Sequence, residues 1–184
     1  MKRLLTGLLA AVMLTGGSVA MTVAQEATPS ALDQLAGSQA ESVVDPKIGD
    51  TVVYYGEDGA EIGTITIDSI ERGWEGYDEF YEPENGAEYV AFVITVESTI
   101  ARGAIDVEQY DFSLQTAAGY LWSNSYVSGE AADPPILEDA VSLAAGDAET
   151  FTVVFEVFEG EELAHIFWQP DSGVLITAAQ LEGE

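Results

Sequence analysis

Cysteine is absent from this 184-residue sequence, and histidine occurs once. The absence of cysteine excludes disulfides, thiol nucleophiles and thiolate metal sites, and it leads us to expect a freely exported chain without a lipid anchor. His165 shares strand parity with Leu163 and Phe167 in the apolar segment LAHIFW, which favours a structural role over a catalytic one. No G-x-S-x-G motif occurs, and carboxylates are too numerous for a pair to be informative. The sequence therefore predicts no enzyme.

Basic residues are scarce. The chain has 33 acidic and five basic residues, and only Lys47, Arg72 and Arg102 are basic beyond position 3. Such a surface repels nucleic acid and anionic lipid, so neither is an expected partner. Two interpretations remain open: attraction of cations or of a basic partner, and a solvated surface adapted to salt or acid.

No apolar run reaches the roughly 20 residues that a membrane-spanning helix needs. The run Leu4–Leu14 follows Lys2 and Arg3 and precedes small residues, which is the order of a secretory signal peptide. We predict cleavage after Ala20 or Ala24 and a secreted, extracellular location, with association with the cell envelope left open.

The remaining chain divides into two parts. Residues 25–46 are rich in Ala, Ser, Gln and Glu and contain no aromatic residue, which predicts a disordered acidic tether. Residues 47–184 are rich in β-branched and aromatic residues and are the right length for one domain.

Alternating apolar and polar residues predict short strands separated by turns. Val90, Phe92, Ile94 and Val96 form one apolar face, and Phe151, Val153, Phe155 and Val157 form another. Tyr110, Phe112 and Leu114 form a third. The other strands are predicted at 51–55, 62–70, 120–122, 163–168 and 174–179. Seven to eight short strands without a helical period predict an all-β, immunoglobulin-like antiparallel β-sandwich.

The order of these segments resembles a family of secreted bacterial domains of unknown function. These domains have a telokin-like immunoglobulin fold and are related to the mycobacterial immunoprotective extracellular antigen. The resemblance implies fold and export and supplies no catalytic residues. The chain differs from the usual pattern at Glu97-Ser98, where an Asn commonly ends the central strand. The residues that carry the resemblance are KIGDTVVY (47–54), NGAEYVAFVITVEST (85–99), YDFSLQTAAGYLW (110–122), LAAGDAETFTVVFEVFEG (143–160) and LAHIFW (163–168).

Two loops combine acidic and aromatic residues, Gly73–Asn85 and Ser123–Glu138. Aromatic side chains in loops can stack on sugars or anchor a protein partner, and they can also fold back and cap the end of the sandwich. The candidate binding residues are Trp74, Tyr77, Phe80, Tyr81, Trp122 and Tyr126.

Calcium is the possible cofactor, because it takes six to eight oxygen ligands and acidic loops supply them. The candidate ligands are Glu75, Asp78, Glu79 and Glu82, although they lack the spacing of an EF-hand. The cluster Glu159, Glu161 and Glu162 is a second possibility.

Two functions follow. The first is a secreted, non-catalytic binding domain with affinity in loops at the sandwich ends, whose partner is an unknown extracellular protein or glycan. The alternative is a structural envelope protein stabilised by calcium or salt.

Overall fold

A computed structural model describes residues 43–56, 58–129, 132–170 and 173–181. The predicted signal peptide and almost all of the predicted tether lie outside the described residues. Across the described ranges, no helix is long and apolar enough to cross a bilayer. The strands are β1 (Thr51–Tyr55), β2 (Glu61–Arg72), β3 (Ala87–Ser98), β4 (Ala104–Val107), β5 (Phe112–Thr116), β6 (Leu121–Ser123), β7 (Val141–Ala144), β8 (Ala148–Phe158), β9 (Leu163–Trp168) and β10 (Ile176–Gln180), with a 3-10 turn at Gln109–Asp111.

The strands form two four-stranded sheets and one two-stranded ladder. The first sheet has the order β1-β2-β3-β8, the second has the order β10-β9-β5-β6, and β4 pairs with β7. All these strand pairs are antiparallel. The prediction of an all-β antiparallel sandwich is confirmed.

The strand count was too low. The eight predicted strands are those of the two large sheets, and β4 and β7 were missed. Each of these has only four residues, too few for alternation to stand out from a loop. Tyr110 was also misplaced, because it lies in the 3-10 turn and is 70% exposed. The Glu108 N–H donates to the Asp111 carboxylate (2.8 Å), which holds this turn, and the strand begins only at Phe112.

The main core lies between the two large sheets. Phe92 packs edge-on against Phe155, with ring centroids 5.7 Å apart. Trp168, from the second sheet, contacts Tyr54 (5.1 Å) and stacks on Phe112 (6.4 Å). The two predicted apolar faces on β3 and β8 are buried here, as expected: Val90, Phe92, Ile94, Val96, Phe151, Val153, Phe155 and Val157. Burial of apolar area between the sheets is the main stabilising contribution to such a fold.

The residues just before β1 contact β10. The Pro46 carbonyl accepts a hydrogen bond from the Gln180 N–H (2.6 Å), and the Asp45 carboxylate accepts one from the Gln180 side chain (2.9 Å). Lys47 forms an isolated bridge with the same residue. The last residues assigned to the tether therefore lie against β10.

Beside this core, the outer faces of β3 and β8 are also apolar. Tyr89, Ala91 and Val154 point away from the second sheet, yet all three are buried in a second, smaller cluster. An apolar surface on both faces of a sheet requires a cover on each side. The cover on the outer side comes from two loops, which are described in the next section.

A charged network ties the end of the first sheet to the β8–β9 turn. Arg72 forms an ion pair with Glu88, and its guanidinium also donates to the Glu161 carbonyl (2.8 Å). The Gly160 N–H donates to the Glu88 carboxylate (3.0 Å). Burial alone would raise the pKa of Glu88, but the hydrogen bonds from Arg72 and Gly160 and the charge of Arg72 hold this pKa below its ordinary value of 4.5.

We predict that Glu88→Gln lowers the free energy of unfolding by about 1 kcal/mol at neutral pH, because it removes a charge-assisted interaction of a side chain that is 17% exposed. A folded-state pKa below the unfolded one stabilises the protein above pH 4.5, and this contribution is lost as the pH falls through the folded value. The difference between wild type and variant, measured by urea unfolding, should therefore shrink as the solution is acidified.

Glu97→Gln is the control, since Glu97 is an exposed carboxylate on the same strand. Its effect should be small at every pH. A Glu88→Gln deficit that persists unchanged in acid would show that the ion pair does not cause it.

Candidate functional site

The loop after β2 folds back along the sheet. Gly73 has φ +62°, a conformation that favours glycine, and it turns the chain at the end of β2. The Trp74 N–H then donates to the Tyr89 carbonyl (3.0 Å), so the loop starts by following β3. Trp74 packs on Ala91 and Val154 and is only 8% exposed. Its indole is therefore part of the cover over the outer face.

The connection after β6 lies along the open edge of β8. The Ser125 N–H donates to the Val154 carbonyl (2.8 Å), and the Glu156 N–H donates to the Ser125 hydroxyl (2.9 Å). Further along, the Thr152 N–H donates to the Pro135 carbonyl (2.8 Å). Between these two contacts the connection passes over the outer face, where Val127 is buried in the second cluster.

The two loops contact each other through their backbones. The Asp78 N–H donates to the Ser128 carbonyl (2.8 Å). A Cβ at Gly129 would lie 2.0 Å from the Gly76 carbonyl oxygen, and a Cβ at Gly76 would lie 2.4 Å from the Trp74 ring. Gly129 therefore requires glycine because the backbones of the two loops approach so closely, and Gly76 requires it because the buried Trp74 ring packs against it.

The structure brings most of the predicted binding residues into this loop pair. Tyr77 lies half-buried between Trp74 (6.1 Å between ring centroids) and Tyr89 (5.2 Å). Tyr81 is half-buried and meets Tyr126 edge-on at 6.5 Å. The loops were expected at an end of the sandwich, but they fold from that end onto the face of the sheet, because Tyr89, Ala91 and Val154 need cover.

Two of these aromatic residues remain in solvent. Phe80 is 87% exposed and Tyr126 is 64% exposed, although both belong to loops that are anchored by hydrogen bonds and buried neighbours. Phe80 and Tyr126 are defined here as the exposed aromatic pair.

Trp122 lies apart from the loop pair, in a cleft between the sheet edges. It belongs to β6, the edge strand of the second sheet, and contacts Phe158 of β8, the edge strand of the first sheet (5.4 Å, interplanar angle 82°). The Trp122 indole N–H donates to the Glu161 carboxylate (3.1 Å). This acidic cleft has a volume of about 350 Å³, and its lining residues are Glu84, Ala87, Trp122, Glu156, Val157 and Phe158.

Among the described residues, the carboxylates of the acidic cleft form no ion pair. The Glu156 carboxylate accepts a hydrogen bond from the Glu84 N–H (2.6 Å). Burial, the negative charge of Glu156 and the negative charge that Tyr77 carries when ionised raise the pKa of Tyr89 to about 12, so the Tyr89 phenol stays neutral. Among the described residues the one ion pair is Arg72–Glu88. Negative charge at Glu84 and Glu156 is therefore uncompensated by any ion pair there.

The predicted calcium ligands lie along the surface of the first loop. Glu75, Glu79 and Glu82 are exposed, and Asp78 is half-buried. Within the part of the chain that the structure describes, no three His, Cys, Asp or Glu side chains form a group that could hold a metal ion. These four residues thus form no preorganised site, and calcium binding stays a prediction.

His165 contacts an amide and an aromatic ring. Its Nδ1 lies 3.2 Å from the Gln115 side-chain oxygen, and its ring stacks on Phe167 (5.7 Å between centroids). These contacts are those of a strand histidine on the outer face of the second sheet.

Sequence reasoning missed Glu84, Glu156 and Phe158. They come from two places in the chain, the loop before β3 and the end of β8, and meet only when β8 pairs with β3. The sequence contained one indication of the exposed position of Phe158. Phe155 and Val157 alternate along β8, and Phe158 falls on the opposite face from them. A second cleft of about 400 Å³, next to Ile136, Leu137 and Phe151, was also missed.

No protein-family model matches this chain, and no curated protein matches it in sequence. Solved structures share its fold. The secreted protein MPT63 of Mycobacterium tuberculosis is similar over 72% of this chain and 94% of its own length, with a TM-score of 0.52 and 14% identity. The yjhA protein of Bacillus subtilis is similar over 74% of this chain and 99% of its own, with a TM-score of 0.55 and 16% identity. The resemblance to the mycobacterial antigen is thus confirmed at the level of the fold.

A third structure, the candidate lipoprotein ycdA of Bacillus subtilis, gives a TM-score of 0.49 at 14% identity. The match includes 66% of this chain and spans 38% of the length of the ycdA protein.

We predict that Gly129→Ala separates the two loops, because the new methyl group would lie 2.0 Å from the Gly76 carbonyl oxygen. The free energy of unfolding should fall by about 1–3 kcal/mol, the usual cost of inserting a methyl group where there is no space. Hydrogen exchange should show faster exchange at the Asp78 N–H, which loses its Ser128 partner.

Gly56→Ala is the matched control, since the nearest atom to its Cβ would be 3.3 Å away in the flexible Asp58 side chain. Equal exchange at Asp78 in Gly129→Ala and wild type would contradict the docking of the loops.

Proposed function

We propose that this chain is an exported, non-catalytic binding domain that recognises an extracellular protein or a glycan. The observation that supports this function is the exposed aromatic pair, Phe80 and Tyr126, on loops that are held in place by other residues. Trp74 and Val127 account for the anchoring of the loops, so burial within the domain does not explain the exposed pair.

Rigid presentation of aromatic side chains is typical of binding surfaces. Tyrosine, tryptophan and arginine dominate binding energy at interfaces, and anchors that are ordered beforehand lose less entropy when they bind. Tyr126 is supported by its edge-on contact with Tyr81, whose N–H donates to the Asp78 carbonyl (2.8 Å). Aromatic rings of this kind also stack on sugars.

Export is supported by two observations of different kinds. The first is the charged, apolar and small-residue order of residues 1–24. The second is the similarity of the fold to MPT63, which is a secreted protein. An extracellular or envelope location follows as part of the proposal.

We predict that the double variant Phe80→Ala/Tyr126→Ala captures its partner about tenfold less well than the wild type, because it loses two anchors of the binding surface. The measurement uses the domain as bait on culture medium and solubilised envelope, and quantifies whichever component the wild type enriches. The thermal midpoint should change little, since both side chains are exposed.

Tyr110→Ala/Tyr120→Ala is the matched control, because these aromatic residues are equally exposed but lie outside the loop pair. Equal loss of capture in the two double variants would show that the loop surface is not the binding site.

A structural envelope protein stabilised by cations is the second candidate. It is favoured by the excess of acidic over basic residues and by the presence of one ion pair among the residues that the structure describes. Like charges on a folded surface repel each other, and counter-ions reduce this repulsion.

If this second function holds, calcium should raise the thermal midpoint in a saturable way, as required for an ion that binds the folded state preferentially. Sodium chloride at matched ionic strength is the control. An equal rise with both salts would reduce the effect to screening and remove the case for a specific calcium site.

A further inference from the structure

We propose that the acidic cleft binds the cationic side chain, lysine or arginine, of a partner protein. The proposal rests on the proposed function, because it assumes that the domain binds a partner, and it adds the chemistry that the partner presents. It concerns a different surface from the exposed aromatic pair, so the two surfaces can be tested separately.

The cleft exists because a small residue stands opposite a large one. In the β3–β8 ladder Ala87 pairs with Phe158, and the short Ala87 side chain leaves the ring uncovered. Phe158 is 61% exposed at the end of β8. The exposed ring lies beside a cavity of about 350 Å³. Binding of an occupant that covers the ring is favourable, because it removes apolar surface from water.

The other aromatic wall is held in position. The Trp122 indole N–H donates to the Glu161 carboxylate, and the Glu161 carbonyl accepts from Arg72. This chain of contacts fixes the orientation of the Trp122 ring against Phe158. It also commits Arg72, whose remaining contact is the ion pair with Glu88. Within the part of the chain that the structure describes, no guanidinium forms an ion pair with Glu84 or Glu156.

The charge of the cleft selects the occupant. Glu84 and Glu156 line the same cavity as the two rings, and the contact between the Glu84 N–H and the Glu156 carboxylate fixes one of these carboxylates. Aromatic faces attract cations, and carboxylates form charge-assisted hydrogen bonds with ammonium or guanidinium groups. An anionic occupant would be repelled, and a neutral apolar one would desolvate the carboxylates without supplying a positive charge.

The aromatic walls favour a basic side chain over a metal ion. Lysine and arginine carry apolar stems that pack along rings while the charged head meets the carboxylates. A metal ion would use the carboxylates alone and would need more of them than the cleft contains. An extracellular protein that presents a basic side chain therefore matches both components of the cleft.

The experiment follows Trp122 directly. The domain is labelled with 5-fluorotryptophan, so that Trp74, Trp122 and Trp168 each give a fluorine resonance, assigned with single Trp→Phe variants. The probes are the blocked amino acids N-acetyl-lysine methylamide and N-acetyl-arginine methylamide. N-acetyl-norleucine methylamide is the neutral probe of similar length. We expect the cationic probes to shift the Trp122 resonance saturably while Trp74 and Trp168, which are buried, stay unchanged.

Matched variants separate the cleft from the general charge of the protein. Glu84→Gln/Glu156→Gln should weaken the response of Trp122 to the cationic probes by about tenfold. Glu61→Gln/Glu97→Gln changes the net charge equally at exposed positions outside the cleft and should leave the response intact. Phe158→Ala should weaken the response without changing the net charge.

Three results would overturn the proposal: no shift at Trp122, an equal shift with the norleucine probe, or equal weakening in the two double glutamate variants. The exposed aromatic pair does not enter this measurement. Retained partner capture by Phe80→Ala/Tyr126→Ala would contradict the proposed loop surface. A retained shift at Trp122 in the same variant would leave the assignment of the cleft intact.

Discussion

The antiparallel pair of β3 and β8 determines how the rest of the chain is arranged. Its register runs without a break from Ala87 opposite Phe158 to Glu97 opposite Ala148. The inner side of this pair contains the largest buried side chains of the first sheet, and the second sheet packs against it. The outer side is apolar as well, and two loops cover it. The position of the loops, and therefore of the residues that they expose, follows from this constraint.

The fold was accessible from the sequence because its strands alternate clearly. Phe92 and Ile94 share one face, and Phe151 and Val153 share another, which is the period of a strand with one face in a core. The second cluster was also visible in principle. The runs Tyr89–Phe92 and Val153–Phe155 are apolar without interruption, which indicates burial on both faces. Trp74 was a candidate to cover this outer face. Local periodicity does not show which strand a loop will cover, because that depends on long-range packing.

The acidic cleft could not be predicted, because its residues come from four separate segments. Glu84 lies in a loop, Ala87 in β3, Trp122 in β6, and Glu156 and Phe158 in β8, while Glu161, which holds Trp122, lies in a turn. Only the pairing of β3 with β8 and the approach of the two sheet edges bring them together. The composition predicted an acidic surface but not its location. The structure shows that Arg72 pairs with Glu88 and donates to the Glu161 carbonyl, so it forms no ion pair with the carboxylates of the cleft.

The hydrogen bonds of Ser125 and Pro135 to β8 have a consequence for the behaviour of the protein at high concentration. Without them, the edge of β8 that faces away from β3 would be unpaired along an eleven-residue strand whose sequence is rich in Phe, Val and Thr. Such an edge is a template for the addition of strands from other molecules. The connection between β6 and β7 thus covers the edge at which strands of neighbouring molecules would add. This hydrogen-bonded cover acts against strand addition in the same direction as the repulsion between acidic surfaces.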